Sequence, residues 1–126
     1  EIARDTYPEG RVGYLKWRSD LSKYHADISI GFMQKVGYDE DMQEKVRGII
    51  QKRRLKSDSD VQTMENALCL VFLEYQYEAL IEKLDDEKMI PILQKTWAKM
   101  SEPGQKMALS LSYSAHGQRL LEDALK

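Results

Sequence analysis

The sequence predicts an all-α fold, a compact bundle of about five to six helices, on the strength of three observations. Apolar side chains recur at spacings of three, four and seven over long stretches, as they do on the buried stripe of an amphipathic helix. Only seven Gly and three Pro punctuate 126 residues, so the helices have few obligatory breaks. The 42% apolar and 32% charged composition is that of a chain able to build a core, and not of a disordered or low-complexity one. Residues 1–126 accordingly read as one helical domain with a single hydrophobic core.

The elements follow in chain order. Residues 1–10 hold Pro8 and Gly10 without a period and read as an extended lead-in, either packed on the domain or joined to something upstream, so the N-terminus is expected to be truncated. Between Val12 and Val36, the side chains of Tyr14, Leu15, Trp17, Leu21, Tyr24, Ile28, Phe32 and Val36 mark a first helix, which Gly37 stops. Asp39 is placed to cap a second helix with the face Met42, Val46, Ile49 and Ile50. That helix is expected to end near Leu55, with Lys52, Arg53 and Arg54 in its last turn, where cations suit the helix dipole.

Ser59 followed by Gln62 matches a capping box opening a central apolar helix near 61–84. Its block Ala67–Leu73 is apolar on every side, so Leu68, Leu70, Val71 and Phe72, together with Leu21, are expected in the core. Asp85 or Asp86 caps a fourth helix bearing Ile90, Leu93, Trp97 and Met100, with Pro91 tolerated in its first turns. A turn at 101–104 precedes two short helices, Gln105–Leu111 and Ala115–Leu125, the second introduced by Ser114.

Charge and composition exclude several function classes. Nineteen basic and 21 acidic residues give a formal charge of −2, which supplies no global field for nucleic acid, and the basic run 51–56 reads as a solvated helix end. The longest apolar run, 67–73, is about a third of the ~20 residues a membrane-spanning helix needs, so no span is expected. Cys69 is the only cysteine and lies in that run, which excludes an intrachain disulfide and points to a buried, inert thiol. The lone thiol favours a reducing intracellular compartment, cytoplasm or mitochondrion. With two histidines and one cysteine, neither a metal nor another cofactor is expected.

Two groups of residues could carry chemistry. Arg18 and His25 are seven apart, so both project from one helical face, flanked by Trp17 and Tyr24. An arginine there can clamp an anion and a histidine can move a proton, or both can be the polar tips of an aromatic packing face. On the central helix, Gln62, Glu65 and Asn66 precede the apolar block, and facing inward they would need partners to offset desolvation. Glu74 beyond the block reads as a salt-bridge residue, and Lys52 is a further cationic candidate. Arg18, His25 and Glu65 are expected to converge on one pocket or polar cluster.

The strings Arg4-Asp-Thr-Tyr-Pro8, Gly13-Tyr-Leu-Lys-Trp-Arg18, His25-Ala26, Val36-Gly-Tyr38, Gln62-Thr-Met-Glu65, Cys69-Leu-Val-Phe-Leu-Glu74 and Lys95-Thr-Trp97 resemble the uncharacterised family called domain of unknown function 4202. The resemblance covers nearly the whole chain and brings no established activity with it. It implies a preceding helical segment ending in His-x-x-Arg-Trp, and an Asp at the position of Asn66. The pattern of an early His, a helix His and an Asp on an apolar helix is similar, as an analogy, to the His-Asp phosphohydrolase superfamily. In that analogy His25 and Asn66 are the remaining site positions, and an amide contributes no charge to a metal. The resulting expectation is a helical interaction or accessory-subunit module without catalytic activity, seated on a protein partner or larger assembly. The alternative is a phosphate-ligand-binding or hydrolase-like enzyme with its site around Arg18, His25 and Glu65.

Overall fold

Gly37 ends the first helix because a left-handed residue cannot continue it. In the computed structural model, which describes residues 1–126, α1 spans Arg11–Lys35 and closes in a Schellman motif. The Tyr38 N–H donates to Met33 O at 3.0 Å and the Gly37 N–H to Gln34 O at 3.3 Å, with Gly37 at φ 87°. Asp39 then caps α2, Glu40–Ile50, by accepting the Met42 N–H at 2.8 Å, as expected.

The second helix stops earlier than its sequence suggested. Lys52 donates its backbone N–H to Ile49 O at 3.1 Å and Arg53 to Gly48 O at 2.9 Å, the same motif with Lys52 at φ 53° where Gly37 stands in the first. Helical hydrogen bonding therefore ends at Ile50 instead of near Leu55. Lys52, Arg53 and Arg54 lie outside the last helical turn, in a tight turn that contains a second left-handed residue, Arg54, at φ 52°.

The chain divides into two compact units, Glu1–Val61 and Gln62–Lys126. In the first, α1 packs on α2, with Ala26 and Ile30 buried on the α1 side. The lead-in, with one 3-10 turn at Arg4–Thr6, lies along α1. The Trp17 indole donates to Ile2 O at 2.9 Å and the Tyr7 hydroxyl to Asp20 Oδ2 at 2.9 Å. Gly13 makes the approach possible, because a Cβ there would fall 1.8 Å from Pro8 O.

A continuous helical run over 59–81 carries the chain into the second unit. It consists of α3, Ser59–Val71, a π-helical segment, Phe72–Gln76, and α4, Tyr77–Ile81. The cap is Asp58 and not Ser59: the Asp58 carboxylate accepts from Asp60 N at 3.0 Å and Val61 N at 3.3 Å, which makes Ser59 the first helical residue. Helices α5, Asp86–Lys99, α6, Glu102–Leu109, and α7, Ala115–Ala124, complete six helical runs with no strand, so the chain is all-α as its sequence predicts. Pro103 fits the first turn of α6, which starts three residues before the expected Gln105.

The buried face of the 59–81 run passes through the apolar block at Cys69 and Leu73 but does not take in the whole of it. Val61, Glu65, Cys69, Leu73, Tyr77 and Ile81, each four residues from the last, are the buried positions. Leu68 and Val71, expected in the core, are 49% and 47% exposed, while Leu70 and Phe72 pack against the core and remain half-buried, as does Leu21 in the first unit. A strict spacing of four drifts about 40° per step around an α-helix. The wider π turn rotates less per residue, which brings Tyr77 and Ile81 back toward the face of Leu73. Tyr77 is fully buried beneath α7, its hydroxyl donating to Gly117 O at 2.8 Å and its ring 5.8 Å from that of Tyr113.

Candidate functional site

The face shared by Arg18 and His25 is real, and it opens onto a small cavity of about 130 Å³ lined also by Leu21, Ser22 and Ile50. Both polar side chains are exposed and α1 holds them two turns apart. Trp17 flanks them at a distance: its indole is committed to Ile2 O, and the Arg18 guanidinium stands 6.0 Å from its ring centroid. The Tyr24 ring lies 6.0 Å from the His25 imidazole. One turn away, Asp20 accepts from Lys16 at 2.7 Å and from Tyr7 at 2.9 Å. These bonds, that of Lys16 foremost, hold the Asp20 carboxyl below its ordinary value and raise Lys16 and Tyr7 above theirs.

Gln62, Glu65 and Asn66 belong to the second unit, as Arg18 and His25 belong to the first. Glu65 is 3% exposed on the buried stripe. Asn66 is the centre of a polar junction. Its Oδ1 accepts from Gln62 Nε2 at 3.0 Å and from Ser101 N at 2.9 Å, while its Nδ2 donates to Ser101 Oγ at 2.7 Å. Gln62 Nε2 also donates to Lys99 O at 2.9 Å. Gly104 lies directly over the amide, since a Cβ there would come within 2.7 Å of Asn66 Cγ. Asn66 and Gln62 thus tie α3 to the junction of α5 and α6, and both ends of the Asn66 amide are occupied within the protein. Lys52, the remaining candidate, is exposed in the turn after α2, and Glu74 is exposed in the π segment without an ion pair.

Cys69 is buried, as its sequence context suggested, with its thiol 3.7 Å from Thr96 O. No group of three or more His, Cys, Asp or Glu side chains is gathered where it could hold a metal ion. His116 pairs with Asp86 at 2.8 Å on the surface of the second unit.

Two features emerge only in the folded chain. One is the junction of α4 with the start of α7, where Glu78 Oε1 accepts the Ser114 N–H at 2.8 Å and Gly117 leaves room for both Glu78 and Tyr77. Burial pushes the Tyr77 and Tyr113 phenols up to about 12, with the Glu78 charge adding to each. The Ser114–Gly117 cap and the every-fourth stripe through Tyr77 were the available signals. The other is a cleft of about 470 Å³ between α2 and the turn that follows it. Its signal was the run of cations at 52–54, which reads as a helix end until the backbone folds back.

These features define an all-helical protein whose candidate polar residues are divided between two units and, in the second, are largely engaged in internal packing. The chain belongs to the family described as Domain of unknown function (DUF4202), whose model matches residues 1–121. No curated protein and no solved structure matches it.

Proposed function

We propose that this chain is a helical protein-interaction module, an accessory subunit without catalytic activity of its own. The observation that carries the reading is the outer face of the 59–81 run. Met64, Leu68, Val71 and Tyr75 are 45%, 49%, 47% and 72% exposed and follow one another at spacings of four, three and four. That spacing is the seam on which one amphipathic helix receives another. Large apolar side chains left in water along one face of a well-capped helix mark a docking surface more often than they mark a defect. The partner class that fits is an amphipathic helix presenting its own apolar stripe.

The test is the double substitution Leu68→Glu with Val71→Glu. Complex size in native extracts, read by sedimentation, should fall to that of the isolated chain while the melting temperature changes little. An unchanged assembly with a folded double variant would reject the reading.

A second reading, binding of a small anion, has one supporting observation: Arg18 and His25 line the same cavity with Ser22. A volume near 130 Å³ suits an inorganic phosphate better than a nucleotide. His25→Gln would then weaken phosphate binding without loss of stability, whereas a packing role for His25 would appear as lost stability alone.

A further inference from the structure

We propose that the cleft between α2 and the turn at 51–58 binds a small phosphorylated, hydroxyl-bearing molecule of the sugar-phosphate kind. The cleft holds about 470 Å³, within the usual size range of small-molecule sites. Asp41, Glu44, Lys45 and Gly48 line it from α2, and Arg53, Arg54 and Asp58 from the turn. All seven belong to the first unit.

The charges in the cleft are not equally available. Arg53 Nη1 reaches Glu44 Oε1 at 3.5 Å, and Glu44 also faces Arg47 at 3.9 Å. Asp58 is engaged as the cap of α3. Lys45 and Arg54 form no ion pair and their heads are exposed, which leaves two uncommitted cations facing one uncommitted carboxylate, Asp41. Two cations, one of them a guanidinium able to bond two oxygens at once, match a dianionic phosphate better than a single carboxylate. Asp41, repelled by the phosphate, is suited to accept hydrogen bonds from hydroxyls on the other half of the ligand.

The backbone supports the assignment. Lys52 and Arg54 both adopt the left-handed region, unusual for residues with a Cβ, and this pair of turns brings Arg53 and Arg54 back over α2. Gly48, an unfavourable residue inside a helix, lines the cleft, and nothing lies within 4 Å of where its Cβ would stand. Packing does not require a glycine there, and the space beside it is open.

The experiment titrates the isotope-labelled protein with ribose 5-phosphate, inorganic phosphate, ribose and glutamate, followed by amide shifts. Saturable binding of ribose 5-phosphate, with shifts confined to residues 41–58, is expected to be the tightest of the four. Arg54→Gln and Lys45→Gln should each weaken it about tenfold, the scale of one charge-assisted contact. Gly48→Leu, which adds a bulky side chain to the lining, should abolish it with the helical circular dichroism retained. Arg119→Gln, a cation of the second unit, should leave it unchanged. The proposal is overturned if ribose 5-phosphate fails to saturate at millimolar concentration, if inorganic phosphate or glutamate shifts residues 41–58 as tightly, or if the Arg54 and Lys45 variants bind like the parent.

Discussion

Asn66 and Ser101 hold each other by two hydrogen bonds, the Ser101 backbone N–H donating to Asn66 Oδ1 at 2.9 Å and the Asn66 amide donating to Ser101 Oγ at 2.7 Å. Ser101 is also the N-cap residue of α6, so a side chain from α3 determines where the α5–α6 junction sits. Asn66→Ala strands the Ser101 N–H and one Gln62 bond, and should cost about 1–3 kcal/mol in urea unfolding. Asn66→Asp keeps both acceptor roles, and the Ser101 hydroxyl can turn to become the donor, so its loss should be smaller. An alanine variant within about 0.5 kcal/mol of the parent would remove the junction from the account.

The two Schellman motifs make an internal comparison, with Gly37 at φ 87° in one and Lys52 at φ 53° in the other. A residue with a Cβ is disfavoured there by about 1 kcal/mol relative to glycine. Lys52→Gly is therefore expected to exceed Lys52→Ala in stability by about 1 kcal/mol, both lacking the same side-chain contacts. Gly37→Ala should lose a similar amount. Equal midpoints for the two Lys52 variants would contradict the left-handed assignment.

Gly13 controls the lead-in. A methyl group 1.8 Å from Pro8 O cannot be accommodated by side-chain motion, because the clash is with backbone. Gly13→Ala improves the helix propensity of α1 by about 1 kcal/mol and at the same time expels residues 2–8. Hydrogen exchange at the Trp17 indole, bonded to Ile2 O in the parent, should accelerate while the amides of α1 stay protected. Continued protection of the indole would be inconsistent with this packing.

Tyr77 and Tyr113 set an alkaline limit on the second unit. Their phenols ordinarily ionise at 10.0 and are raised to about 12 in the folded chain, chiefly by burial. A raised value means that folding favours the neutral form, so this contribution is complete below pH 10 and is lost as pH rises from 10 through about 12. Denaturant midpoints measured across that window should fall, and fall less steeply in Tyr77→Phe and Tyr113→Phe. Slopes identical to the parent in both variants would refute the assignment.

Leu73 and Leu68 separate buried from exposed on the same run. Leu73, 2% exposed, should cost about 2–5 kcal/mol when cut to alanine. Leu68, half exposed, should cost well under half of that. Comparable losses at both would return Leu68 to the core.

Local chemistry determined much of this protein from sequence alone. Gly37, Asp39 and Ser114 act within a few residues of themselves, so the end of α1 and the starts of α2 and α7 could be read directly, as could the helical class and the burial of Cys69. The face that Arg18 and His25 share follows from their spacing of seven on one helix. Tertiary structure decided which side of the 59–81 run is buried, because the apolar block is richer than its core requires and the π turn shifts the phase that periodicity assumes. It also decided that Lys52 leaves the helix, since nothing in a lysine announces a left-handed backbone, and that Asn66 meets Ser101, 35 residues away. Capping and helical periodicity are short-range and leave marks in sequence, whereas the choice among equally apolar faces depends on neighbours that only the folded chain supplies.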